Sequence, residues 1–126
     1  MADVPDSPLD GNAVVLAAAK ASVSGERLPE LVMWAQERLE PRRERYERRY
    51  ECVHRDDETA VFLAEDGHWA AFGEEFELDR REWDALRRAH GEHLKRLGGD
   101  LDRRAEFETA LELREAVVIG KSNRGQ

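Results

Sequence analysis

Side chains able to do chemistry are few and scattered along this chain. His90 and His93 stand three residues apart with Glu92 between them and His68 a candidate third. Imidazoles and a carboxylate at helical spacing are a donor set for a divalent ion. The segment HGEH, however, lacks the i, i+4 spacing and the glutamate placement by which HExxH holds zinc and activates water. These histidines therefore read as solvated or capping groups, and no metal site is expected. Cys52 and His54 share a face only if that stretch is a strand, and no third group orients the imidazole or stabilises an oxyanion. The cysteine reads as a buried structural thiol. The pairs Asp56–Asp57 and Glu74–Glu75 read as surface charge among 28 acids. Neither DGH nor LGGD has the spacing, or the following Lys–Ser/Thr, of a phosphate-binding loop. We expect no catalysis and no cofactor.

The most specific local pattern lies within residues 68–96. Phe72, Phe76, Leu78, Trp83 and Leu86 are apolar, Gly73 is small, and Asp79 with Glu82 forms a capping-box variant at the start of a second helix. This spacing resembles the helix-turn-helix segment of DNA-binding domains, in which a small residue lets two helices approach and the second enters the major groove. The resemblance implies that Arg80, Arg81 and Arg88, with Asp84 and Ala85 beside them, face DNA. The chain departs from that pattern in three places. Glu77 stands where glycine is usual, Trp83 is bulky for its slot, and Asp84 would point a carboxylate at phosphates. A structural helical hairpin has the same spacing and is the preferred reading; DNA binding is the alternative.

The segment PRRERYERRY (41–50) places Tyr46 and Tyr50 at i, i+4 beside five arginines. Such a mixture suits RNA or single strands. It equally suits a self-paired helix, with Glu44 and Glu47 in reach of the arginines, and that reading is preferred. Met33, Trp34 and Tyr46 are more apolar than one buried stripe requires, which nominates them as a dimer interface.

The elements that must position these residues are mainly helical. Residues 1–10, with two prolines and three aspartates, read as a flexible tail. AVVLAAAKASV is apolar nearly all round, as a short, well-buried helix would be. Leu28, Leu31, Val32, Ala35 and Leu39 form one stripe of a second helix beginning near Leu28–Pro29, which Pro41 ends or kinks at Glu40. A third helix follows through Tyr46. The β-branched and aromatic residues of TAVFL favour a β-hairpin near residues 50–64 over continued helix. Helical patterning resumes at His68, breaks at Leu78–Asp79, and runs to Gly98–Gly99, which are expected to end that helix. A last helix is expected from Asp100, with Leu101, Ala105, Phe107, Leu111 and Val118 on its core face and Gly120 past its end. Residues 121–126 read as a flexible tail. The expectation is one compact, mainly α domain of four to five helices over 11–120.

Length and charge bound the rest. A chain of 126 residues suits a single core. No apolar run is long enough for a membrane span, the acidic start is unlike a secretory signal, and one cysteine excludes an internal disulfide. We therefore expect a cytoplasmic protein. The formal charge is −8, and of twenty cationic residues only Lys20, Lys95 and Lys121 are lysine. A genome rich in G and C favours arginine over lysine by codon composition alone. The preferred reading is salt adaptation, since an acidic, lysine-poor surface stays hydrated in molar salt, where charges are screened within about 3 Å. In this respect the chain resembles small uncharacterised acidic proteins of haloarchaea, a resemblance that implies salt adaptation and no particular activity. Charge is also segregated: residues 41–49 carry five arginines against two glutamates, and residues 50–78 nine acids against one arginine. The expected role is a non-enzymatic protein-interaction or assembly module, a homodimer; the alternative is a helix-turn-helix regulator.

Overall fold

A computed structural model describes residues 9–20, 23–24 and 26–120. Along the chain run α1 (Gly11–Lys20), α2 (Arg27–Leu39), a 3₁₀ turn (Glu40–Arg42), α3 (Arg43–Arg49), β1 (Glu51–Arg55), β2 (Thr59–Glu65), α4 (His68–Glu75), α5 (Arg80–Leu101), α6 (Arg104–Leu111) and β3 (Arg114–Gly120). The path from α2 through α3 stays helical and only tightens at Pro41, whose missing N–H and ring forbid the regular ladder. The described residues thus form five helical rods and a small antiparallel sheet in one domain.

The sheet has the order β1-β2-β3, both pairings antiparallel. Its first hairpin is the expected one, turned by Asp56, whose carboxylate accepts the N–H groups of Glu58 and Thr59 at 2.8 Å each. β2 is buried on both faces from Thr59 to Ala64, as its unbroken apolar run requires. β3 corrects the expectation of a closing helix. Ala116, Val117, Val118 and Ile119 are a short apolar run that periodicity cannot assign, and their β-branching suits a pleated surface. Val118 is accordingly a core residue of a strand, and Ala105 is exposed.

Gly98–Gly99 do not stop α5, which continues to Leu101 and ends on Asp102 in the left-handed region at φ 59°. Arg103 N–H reaches Gly98 C=O at 2.7 Å and Asp102 N–H reaches Gly99 C=O at 3.4 Å, closing the end as a Schellman motif. Gly98 serves another need. A Cβ there would lie 2.9 Å from both Arg104 Cα and Phe107 Cδ2, so the missing side chain is what lets α6 fold back on α5.

α5 is the central rod, packed by α1, α2, α4, α6 and β3. Its inner stripe, Ala85, Leu86, Ala89, His90 and Leu94, is fully buried. α1 is only half as buried as its composition suggests: Ala13, Val14 and Ala17 face α5, while Val15 and Leu16 are 67% and 41% exposed. The expected loose segment 1–10 needs trimming at its end. Leu9 is a core residue, and Asp10 is tied to His93 and Arg96. The rest of that segment, and the tail 121–126, lie outside the described residues.

Candidate interaction surfaces

The segment 68–96 forms two helices joined by a tight turn. α4 ends at Glu75, and Leu78 N–H closes back on Gly73 C=O at 2.8 Å. Glu77 takes the left-handed conformation at φ 61°, the geometry for which glycine is usual. Asp79 and Glu82 make a reciprocal capping box, with bonds of 2.9 and 3.0 Å. Gly73 lies under Trp83: a Cβ would stand 2.4 Å from its Cδ1. The small residue and the bulky one therefore fit each other.

Arg80 and Arg81 are exposed in the first turn of α5 and, among the described residues, have no carboxylate partner. Arg88 is half-buried and donates to Asp84 at 2.8 Å, while Arg87 donates to the same carboxylate at 2.6 Å. Partial burial pushes the Asp84 carboxyl up, but the two guanidiniums outweigh it and hold it below its ordinary value. Arg81, Asp84 and Arg88 share one face by their spacing of three and four residues, and Arg88 is already neutralised there.

The three nominated interface residues part company. Met33 and Trp34 are half-buried on α2. Trp34 meets Phe72 and Phe76 edge-on, with the Arg38 guanidinium 4.0 Å above its ring. Tyr46 is only 5% exposed, packed on Tyr50, Phe62 and His68. It is a core residue rather than a dimer surface, because its ring packs from α3 against Phe62 of β2 and His68 of α4.

The histidines serve separate neighbours. His90 Nδ1 accepts Val118 N–H at 2.8 Å, and His93 Nδ1 accepts Asp10 N–H at 2.9 Å just before α1. Among the described residues no group of three or more His, Cys, Asp or Glu is placed to hold a metal. Burial lowers all three of His68, His90 and His93, His68 to about 4. A bulge between Cys52 and His54 breaks their shared face. The thiol donates to the His54 backbone carbonyl at 3.3 Å, whereas the imidazole turns to Asp56.

The arginines of residues 42–49, in the 3₁₀ turn and α3, are the residues whose arrangement the sequence concealed. They were expected to pair with Glu44 and Glu47 within the helix. Instead Arg42 forms a two-toothed pair with Glu75 of α4, and Arg49 approaches Glu65 of β2 at 3.8 Å. Glu47 receives Arg55 from β1 at 2.8 Å. Between α3 and α4 a half-open cleft of about 380 Å³ results, with Arg42, Arg45 and Arg49 on one side and Tyr46, His68 and Phe72 among its other walls. The arginine–tyrosine spacing was the available signal; the opposing wall comes from residues 65–75.

A family model described as "Domain of unknown function (DUF8048)" matches residues 7–121. No curated protein and no solved structure matches the chain.

Proposed function

The chain belongs to the DUF8048 family, and we propose that it is a non-enzymatic, cytoplasmic interaction module that assembles with a second copy of itself. The observation that carries this reading is the two-sided α1. A helix apolar all round belongs inside a core, yet here Ala13, Val14 and Ala17 lie against the protein while Val15 and Leu16 face out. Burying that outer face on its twin would remove it from water without asking anything of the charged surface. Light scattering should give a dimer mass, and Val15→Glu or Leu16→Glu should return a monomer. Loss of the dimer with Met33→Glu or Trp34→Glu instead would move the interface to α2. A monomer at high concentration would overturn the reading.

A second reading, a DNA-binding regulator using Arg80, Arg81 and Arg88, is favoured by the left-handed Glu77 and the Gly73–Trp83 contact. It predicts retention of double-stranded DNA at physiological or molar potassium chloride, weakened by Arg81→Ala with Arg88→Ala. The packing of α5 by five other elements weighs against it. The acidic, lysine-poor composition further supports a salt-adapted protein.

A further inference from the structure

The cleft between α3 and α4 combines three properties that point to a ligand, independently of self-association. The first is charge. Glu75 neutralises Arg42 in a forked pair, and Glu65 faces Arg49 only loosely, at 3.8 Å. Arg45 is exposed and has no carboxylate partner among the described residues. His68, held near 4 by burial, and Tyr46, pushed up to about 12 chiefly by burial, are both neutral at neutral pH. Three arginines against two glutamates leave one positive charge in the cleft of a chain whose formal charge is −8.

The second property is a hydrogen-bond donor. Tyr46 Oη and His68 Nε2 lie 2.6 Å apart, and His68 Nδ1 is buried with no hydrogen-bond partner among the described residues. If the tyrosine donated, Nδ1 would carry an N–H with nowhere to go. If Nε2–H donates, Nδ1 is merely an unused acceptor, the cheaper of the two deficits. That arrangement leaves the Tyr46 hydroxyl proton free to donate to a group in the cleft its side chain lines.

The third is size and surface. About 380 Å³ falls in the range of small-molecule pockets and is far more than a bare ion fills. The aromatic rings of Tyr50 and Phe72, with Ala71, supply apolar wall beside the guanidiniums. We propose that the cleft binds a small organic monoanion, its oxyanion head paired with Arg45 and hydrogen-bonded by Tyr46, its body lying against Tyr50 and Phe72.

Calorimetric titration of the full chain with benzoate, methyl benzylphosphonate, benzyl alcohol and acetate tests this. Benzoate or methyl benzylphosphonate should bind saturably, and which of the two is tighter tells a carboxylate head from a phosphoryl one. Benzyl alcohol, lacking the charge, and acetate, lacking the body, should each bind about tenfold or more weakly. Arg45→Ala should weaken binding by about tenfold, and Tyr46→Phe by several-fold. Arg48→Ala, which removes a neighbouring exposed arginine outside the cleft, should leave it unchanged. Circular dichroism would verify that each variant is folded. Absence of saturable binding by both aromatic anions, equal losses in the Arg45 and Arg48 variants, or acetate binding as tightly as benzoate would overturn the proposal.

Discussion

At the residue scale, the outer edge of β3 is closed by side chains instead of a fourth strand. Trp69 Nε1 donates to Ala116 C=O at 3.0 Å, and His90 accepts from Val118 N–H. Gln36 donates to Val118 C=O at 2.6 Å and accepts from Gly120 N–H at 3.0 Å. Buried backbone groups that lose a partner are expensive, about 1–3 kcal/mol each. Gln36→Leu orphans two of them and should therefore lower unfolding stability by roughly 2–4 kcal/mol in a urea titration. A loss below about 0.5 kcal/mol would show the edge is satisfied otherwise. The histidines add a pH dependence. His90 accepts Val118 N–H through a ring nitrogen that protonation would occupy, and burial lowers His68, His90 and His93 together. The unfolded chain takes up protons near pH 6.5, while folded His68 resists until about 4. Stability is thus complete above 6.5 and falls as pH drops towards 4, by roughly 3 kcal/mol for His68 alone. Urea midpoints that stay flat between pH 7.5 and 5 would contradict this. Such partnerships were illegible in the sequence, since Gln36 and His90 reach across 82 and 28 residues. The Asp79–Glu82 box, three residues wide, was plain.

At the element scale, the legible features were those set by local periodicity or by a stereochemical stop. The stripe of α2, the 3₁₀ tightening at Pro41, the hairpin and the turn before Asp79 all follow from neighbours in sequence. β3 and the reach of α5 through Gly98–Gly99 do not. A four-residue apolar run has no period, and a glycine that admits α6 looks the same in sequence as one that ends a helix. The two real stops are occupied by acids: Glu77 after α4 and Asp102 after α5, both left-handed. An L-residue there is strained by roughly 1 kcal/mol relative to glycine. Glu77→Gly should accordingly raise stability by about 0.5–1 kcal/mol. Gly73→Ala should do the reverse, by about 1–3 kcal/mol, because the new methyl overlaps Trp83. Measured together by denaturant unfolding, the pair tests the turn from both sides; a neutral Gly73→Ala would mean that Trp83 swings aside freely.

For the whole molecule, the segregation of charge along the chain becomes contact across it. The arginine-rich stretch 41–49 lies against the acidic stretch 50–78, through Arg42–Glu75 and Arg49–Glu65, while Arg114 of β3 reaches Glu51 at 2.9 Å. Two of the five arginines of 41–49 thus serve as counterions to the acidic middle, and the cleft exists where that matching leaves Arg45 over. Its arginine face could be read from residues 42–50; its depth could not, because α4 completes it. Exposed pairs of this kind contribute at most about 1 kcal/mol each and weaken with salt. The uncompensated acid acts over longer range: a formal charge of −8 repels itself throughout the fold. Molar salt shortens electrostatic reach to about 3 Å, which removes the long-range repulsion while sparing the closest contacts. The balance favours the folded state, so the thermal midpoint should rise by several degrees between 0.1 M and 2 M potassium chloride. Charge should be the cause, which a variant can separate: replacing Asp57 and Glu58 at the exposed hairpin tip with asparagine and glutamine should raise the midpoint at 0.1 M and shrink the gain at 2 M. A midpoint that holds or falls with salt, or a gain untouched by the substitutions, would mean that the acidic surface carries no electrostatic penalty in this fold.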